Sequence, residues 1–115
     1  MNTLAAARGQ IWLADLNPTR GHEQSGVRPC LVISVDYFNK SPAGLVIVLP
    51  VTTRAKGVRS HVAIAPPEAG LKEPSFVKCE DVRSISTERL VSPWGTVTRE
   101  TMATVEDHLR ILLGL

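Results

Sequence analysis

Short apolar runs, each closed by glycine, proline or a polar cluster, occupy most of the chain. In Gln10–Leu16 (QIWLADL), Ile11, Leu13 and Asp15 alternate with Trp12, Ala14 and Leu16, the period of two that predicts a strand. Residues 17–26 (NPTRGHEQSG) carry a proline, two glycines and polar side chains, so a long loop follows. Cys30–Val35 and Leu45–Leu49 are continuous and rich in β-branched residues, which predicts buried strands. The second is set off by the turn signal SPAG before it and Pro50 after it. Val62–Ile64, ended by Pro66 and Pro67, Ser75–Cys79 and Gly95–Thr98 supply further short strands. Thr87–Leu90 reads as a single helical turn.

Only the C-terminal segment has a sustained helical period. Met102, Val105, Leu109 and Leu112 recur at spacings of three and four and form one apolar stripe. Thr98 can cap it, Glu100 in the first turn suits the positive end of the helix dipole, and Gly114 ends it. The predicted fold class is therefore mainly β (α+β): a small antiparallel β-barrel or sandwich with one amphipathic helix across it. Any edge such a barrel leaves open is a place for a partner strand or a second subunit.

A length of 115 residues with no repeat or linker predicts one domain over 1–115, with residues 1–7 as a loose leader. The longest apolar run, Leu45–Leu49, is far short of the roughly 20 residues a membrane span needs. The start MNTLAAARGQ lacks the basic region and the apolar length of a signal peptide, so a cytoplasmic protein is expected. The net charge of +2 and pI near 8.8 permit a nucleic-acid partner without announcing one. Cys30 and Cys79 lie in apolar stretches and read as reduced core thiols, and Trp12 and Trp94 read as core aromatics. His22, His61 and His108 sit at no metal-site spacing, and no phosphate-binding or nucleophile-elbow motif occurs, so no metal and no cofactor is expected.

Four segments could carry chemistry: GHEQSG (21–26), Val27-Arg28-Pro29, PVTTR (50–54) and VKCED (77–81). Pro29 biases Arg28 towards an extended backbone. These segments hold the groups that a metal-free cut of RNA requires. A base takes the proton of the attacking 2′-hydroxyl, an acid protonates the leaving 5′-oxygen, and a cation offsets charge on the phosphate. Arg28 suits the cationic role, a hydroxyl such as Thr52 can donate to phosphate oxygen, His22 can exchange a proton near neutral pH, and Glu80 could be a base. Each also has an ordinary explanation: a polar loop residue, a surface ion pair, a turn hydroxyl on its own backbone, a Lys78–Glu80 surface pair. Arg54, Lys56 and Arg59 form a basic cluster that a solvated loop would equally explain.

At these same segments the chain resembles the PemK/MazF toxin family. The likeness runs through RGQIWLADLNPTRGHEQSGVRPCLVIS (8–34), Asn39, VLPVTTRAKG (48–57) and SFVKCEDVRSI (75–85), and leaves out only the first seven residues. It implies an SH3-like barrel of the CcdB/PemK/MazF type, a homodimer, and metal-independent cleavage of single-stranded RNA within a short sequence. The products would carry a 2′,3′-cyclic phosphate and a 5′-hydroxyl, and growth would arrest. A cognate antitoxin would block the groove with an extended acidic segment. Arg28 matches the arginine of the family's RP motif, Thr52 the first threonine after the proline-containing strand, and His22 the histidine of the PemK-type GHEQ loop. Glu80 stands where PemK-type members have an aspartate proposed as base, Lys78 where they have arginine, and Asp81 where the family commonly has glutamine. The resemblance thus implies Arg28, Thr52, His22 and Glu80 as catalytic. It implies Arg20, Glu23, Gln24, Thr53, Arg54, Lys56, Lys78, Asp81 and Arg83 as RNA contacts.

Two other functions fit a small barrel. A gyrase poison of the CcdB type depends on an aromatic C-terminal end, and this chain ends RILLGL. A peptide-binding SH3-like module lines its groove with aromatic residues, and the whole chain holds two Trp, two Phe and one Tyr.

Overall fold

A computed structural model describes residues 5–18, 21 and 26–115. The elements are β1 (Gln10–Asp15), β2 (Val27–Val32), α1 (Asp36–Asn39), β3 (Leu45–Thr52), β4 (His61–Ile64), β5 (Ser75–Lys78), β6 (Arg83–Ser86), β7 (Leu90–Thr96) and α2 (Arg99–Leu113). Single 3-10 turns at Glu68–Gly70 and Thr87–Arg89 complete the path. The strands are antiparallel and run in the order β4-β5-β3-β2-β1-β7, with β6 also paired to β3. On one edge β3 meets β2 through Cys30↔Pro50, Leu31↔Leu49 and Val32↔Val48. Its other edge is divided: Leu45–Val48 pairs with β6 and Val51–Thr52 with β5. One eight-residue strand therefore joins two sheets and turns the layer into a barrel-like wrap.

The centre of the sheet is buried on both faces. Ile11, Leu31, Leu49, Val51 and Val77 pack into one cluster, while Trp12, Ala14, Cys30, Val32, Val46 and Val48 pack into another. Apolar residues on both faces explain why β2 and β3 read as continuous runs and not as alternation. The helix covers the first cluster: Val105 is fully buried there, with Met102 and Leu109 partly so. Thr98 Oγ1 accepts from the Thr101 amide at 3.1 Å, and Gly114 closes the helix at φ 71°. The stripe stops early, however. Leu112 is exposed, and the core cluster under α2 takes in only Met102, Val105 and Leu109 from the stripe.

Several boundaries differ from the sequence prediction. β2 starts at Val27, since Val27 and Arg28 already pair with Asp15 and Ala14. Pro29 sits one residue before the β3 ladder begins, where an edge of β2 is open and proline is tolerated. α1 and β6 were not predicted: each is four residues long with one buried side chain, Asn39 and Ile85, too little to show a period. β7 begins at Leu90 despite Pro93 and Gly95, as an edge strand can. Ala6, which falls in the expected loose leader, is instead buried, and its carbonyl accepts from Asn39 Nδ2 at 2.9 Å; residues 1–4 lie outside the described residues. Trp12 lies in the core, whereas Trp94 is 40% exposed, so the expectation of two core tryptophans fails at Trp94.

The turn at 68–70 crosses β7 with backbone against backbone. A Cβ on Gly95 would stand 2.7 Å from the Ala69 carbonyl carbon, and one on Gly70 2.5 Å from the Trp94 carbonyl oxygen. Gly95→Ala should therefore cost about 1–3 kcal/mol through forced separation of the two segments. A denaturant titration checks it; an unchanged midpoint would mean that the crossing yields freely.

Candidate functional site

The register of the central strands explains where the cationic side chains gather. Continuing the β2–β3 ladder past Cys30↔Pro50 sets Arg28 opposite Thr52. Thr52 is also the last residue of β3, paired with Phe76 of β5, and β4 enters beside it with His61↔Lys78. Three strand ends thus converge, and the 53–60 loop leaves from the same point. Between them lies a cleft of about 320 Å³ lined by Arg28, Thr52, Thr53, Arg54, Lys56, Val58, His61, Lys78 and Glu80.

Seven residues singled out from the sequence meet here: Arg28, Thr52, Thr53, Arg54, Lys56, Lys78 and Glu80. Arg28, Arg54 and Lys56 are exposed. Thr52 Oγ1 accepts from the Arg54 amide at 3.2 Å, which orients the hydroxyl and leaves its proton to donate. Lys78 stands 3.9 Å from the Asp81 carboxylate. Asp81 and Arg83 do not line the cleft. They pair with each other, Arg83 Nε donating to Asp81 Oδ1 at 3.1 Å, and both side chains are largely buried. Arg20, His22, Glu23 and Gln24 lie outside the described residues.

Glu80 is held on both oxygens. Ser60 Oγ donates to Oε1 at 2.7 Å and His61 Nε2 lies 3.0 Å from Oε2. Burial alone would raise its pKa. The bonds from Ser60, from its own backbone amide and from His61 outweigh that and hold it below the ordinary 4.5. Sequence reasoning missed Ser60 and His61. His61 sits nineteen residues from Glu80, so no local spacing announced the pair. The His61 ring is nearly buried, and its Nδ1 has no hydrogen-bond partner. An ionised carboxylate only accepts, so the Nε2 of His61 carries the proton on this contact.

Both cysteines sit in the core as expected. Burial pushes the thiol of Cys30 up to about 12 and that of Cys79 to about 11, so neither is a nucleophile. Among the described residues no three His, Cys, Asp or Glu side chains come together as a metal site. The arrangement offers a bidentate cation, an oriented hydroxyl and further positive charge around one cleft.

Comparisons with known proteins bear on the family and the fold. A family model described as "PemK-like, MazF-like toxin of type II toxin-antitoxin system" matches residues 7–113. Endoribonuclease MazF9 of Mycobacterium tuberculosis is 36% identical over 113 residues, covering 94% of this chain and 96% of the relative. The crystal structure of MazF (Form-I) from Deinococcus radiodurans superposes with a TM-score of 0.85 at 31% identity, covering 97% of this chain and 99% of that one. A mycobacterial endoribonuclease solved in complex with its cognate antitoxin gives a TM-score of 0.76 at 26% identity, covering 100% and 97%.

Glu80 supplies a pH test. Its carboxyl has a lower pKa folded than unfolded, so the stability it contributes is present above 4.5 and is lost as pH falls through the lowered value. The side chain is 38% exposed, so solvent screens the effect. Glu80→Gln should flatten the acid-side decline in thermal stability. Parallel declines in variant and wild type would show that the Ser60 and His61 bonds add no linkage.

Proposed function

The chain belongs to the PemK-like, MazF-like toxin family of type II toxin–antitoxin systems, and from that premise we propose that it cuts single-stranded RNA without a metal ion. The observation that carries this is the meeting of Arg28 and Thr52 in a cleft ringed by Arg54, Lys56 and Lys78. The ribose 2′-oxygen attacks the adjacent phosphorus, the bond to the 5′-oxygen breaks, and a 2′,3′-cyclic phosphate and a 5′-hydroxyl result. Arg28 binds two phosphate oxygens and offsets the charge that grows on them, and the family pattern makes it the candidate acid for the leaving oxygen. Thr52 donates its hydroxyl proton to a phosphate oxygen while the Arg54 amide fixes its direction.

In PemK-type relatives the base is proposed to be an aspartate, and Glu80 stands at that position. Here both Glu80 oxygens are engaged by Ser60 and His61. The reading therefore gives Glu80 the task of holding the 53–60 loop at the cleft and leaves the role of base to His22. The remaining family properties follow as parts of the same proposal. An antitoxin would lay an extended acidic segment along the cationic cleft. The chain would act as a homodimer, and exposed Ile111, Leu113 and Leu115 at the end of α2 are apolar surface that a partner could cover. No helix among the described residues is long and apolar enough to cross a membrane; the cytoplasm, where mRNA and antitoxin are found, is the proposed location.

Incubation with a long single-stranded RNA in excess EDTA should give discrete cuts with cyclic-phosphate ends. Arg28→Ala should slow them by about 10²–10³-fold, the scale for losing one preorganised charge donor. Cleavage that stops in EDTA and returns with magnesium would overturn the metal-free mechanism; full activity in Arg28→Ala would remove the arginine from it.

A further inference from the structure

Beside the cleft, and sharing Arg28 and Thr53 with it, lies a second groove of about 660 Å³. Its lining includes Pro29, Leu71, Pro93 and Trp94, with Lys72 and Glu73 as its own charged pair. The two spaces differ in character. The cleft gathers four cations against one carboxylate, whereas the groove adds one charge of each sign to an apolar wall. A phosphate is favoured in the first. A flat, uncharged group of similar breadth is favoured in the second.

Trp94 is presented to this groove by a fault in the sheet. Across the β1–β7 pair, Ile11 faces Gly95 but Trp12 faces Pro93, so Trp94 is the extra residue with no partner on β1. Such a bulge redirects a side chain out of the regular pleat. Trp94 is accordingly 40% exposed, while the other tryptophan is buried at 4%. The backbone behind it cannot drift. The turn carrying Ala69, at φ 55°, presses on it so closely that neither Gly70 nor Gly95 has room for a Cβ. An exposed indole on a fixed backbone presents a flat apolar face in one direction.

We propose that Trp94 is a stacking platform for the unpaired base of the nucleotide next to the phosphate held at Arg28. The proposal rests on the ribonuclease reading and names a subsite within it. Continuity with the cleft through Arg28 and Thr53 makes RNA the occupant, because a strand whose phosphate sits at Arg28 must carry its neighbouring base along one side of it. Every base offers a π face, so the platform adds affinity without fixing sequence. Lys72 and Glu73 offset each other in the lining, so the groove attracts phosphate less than the cleft does.

Iodide quenching of tryptophan emission reads the platform, since Trp12 is shielded in the core. Wild-type protein is titrated with a short random-sequence 2′-O-methyl oligoribonucleotide, which lacks the attacking hydroxyl. Saturation should protect Trp94 from iodide. Trp94→Ala should weaken binding roughly tenfold and raise KM on cleavable RNA by a similar factor, and Trp94→Phe should restore most of both. Protection together with loss in the alanine variant but no cleavage by wild type would uphold the base site and sink the ribonuclease reading. Cleavage by wild type with an unchanged KM in Trp94→Ala would do the reverse. A lower assembly mass for Trp94→Ala in light scattering, with RNA affinity intact, would make the groove a subunit contact and overturn the proposal.

Discussion

Everything at the site depends on β3 holding three neighbours at once. Its first half binds β6, its second half binds β5, and its other edge binds β2. A strand of Leu-Val-Ile-Val-Leu-Pro-Val-Thr can do this because both its faces are apolar and both are buried. The strand ends where burial ends, at Thr52, and there the backbone passes from paired to free. Arg28 reaches the same point from β2 because the antiparallel register leaves no other place for it. The chemistry-bearing cation and hydroxyl are thus set by strand pairing in the core, and the loops add charge around them.

Charge in this small chain is used locally. A net charge of +2 would not mark a nucleic-acid binder. The cations matter because four of them face one cleft, while the nearby acids already have partners: Asp81 in Arg83 and Lys78, Glu80 in Ser60 and His61. The Glu80 bonds also tie the far end of the 53–60 loop to the end of β5. That loop carries Arg54 and Lys56, so an acid inside a cationic cleft serves by fixing cations in place.

Much of this was legible in the sequence where burial imposes a pattern. The period of two in β1, the apolar runs of β2 and β3, and the stripe Met102–Val105–Leu109 all reflect faces that must be buried, and the elements formed there. Arg28, Thr52 and Lys78 were legible because each flanks such a strand. The short elements α1 and β6 left no period to read. β7 was read too late and too short, because its proline and glycine serve an edge and a bulge, features of pairing and not of composition. Trp94 was assigned to the core by residue type alone, and only the slipped register shows that it points elsewhere. His61 was invisible for a further reason: its partner is distant in sequence, and a single histidine at the start of a strand has no signature. His22, with the rest of its loop, stands on the family pattern alone.

The central claim is that Arg28 and Thr52 act on one and the same phosphate. A double-mutant cycle on RNA cleavage tests it most directly, using Arg28→Lys and Thr52→Val, which keep volume and remove the planar fork and the hydroxyl. If both contact one transition-state phosphate, the two losses in kcat/KM will not add, and the double variant will be clearly faster than the product of the single effects predicts. Strict additivity would place the two side chains on separate parts of the RNA and contradict the account.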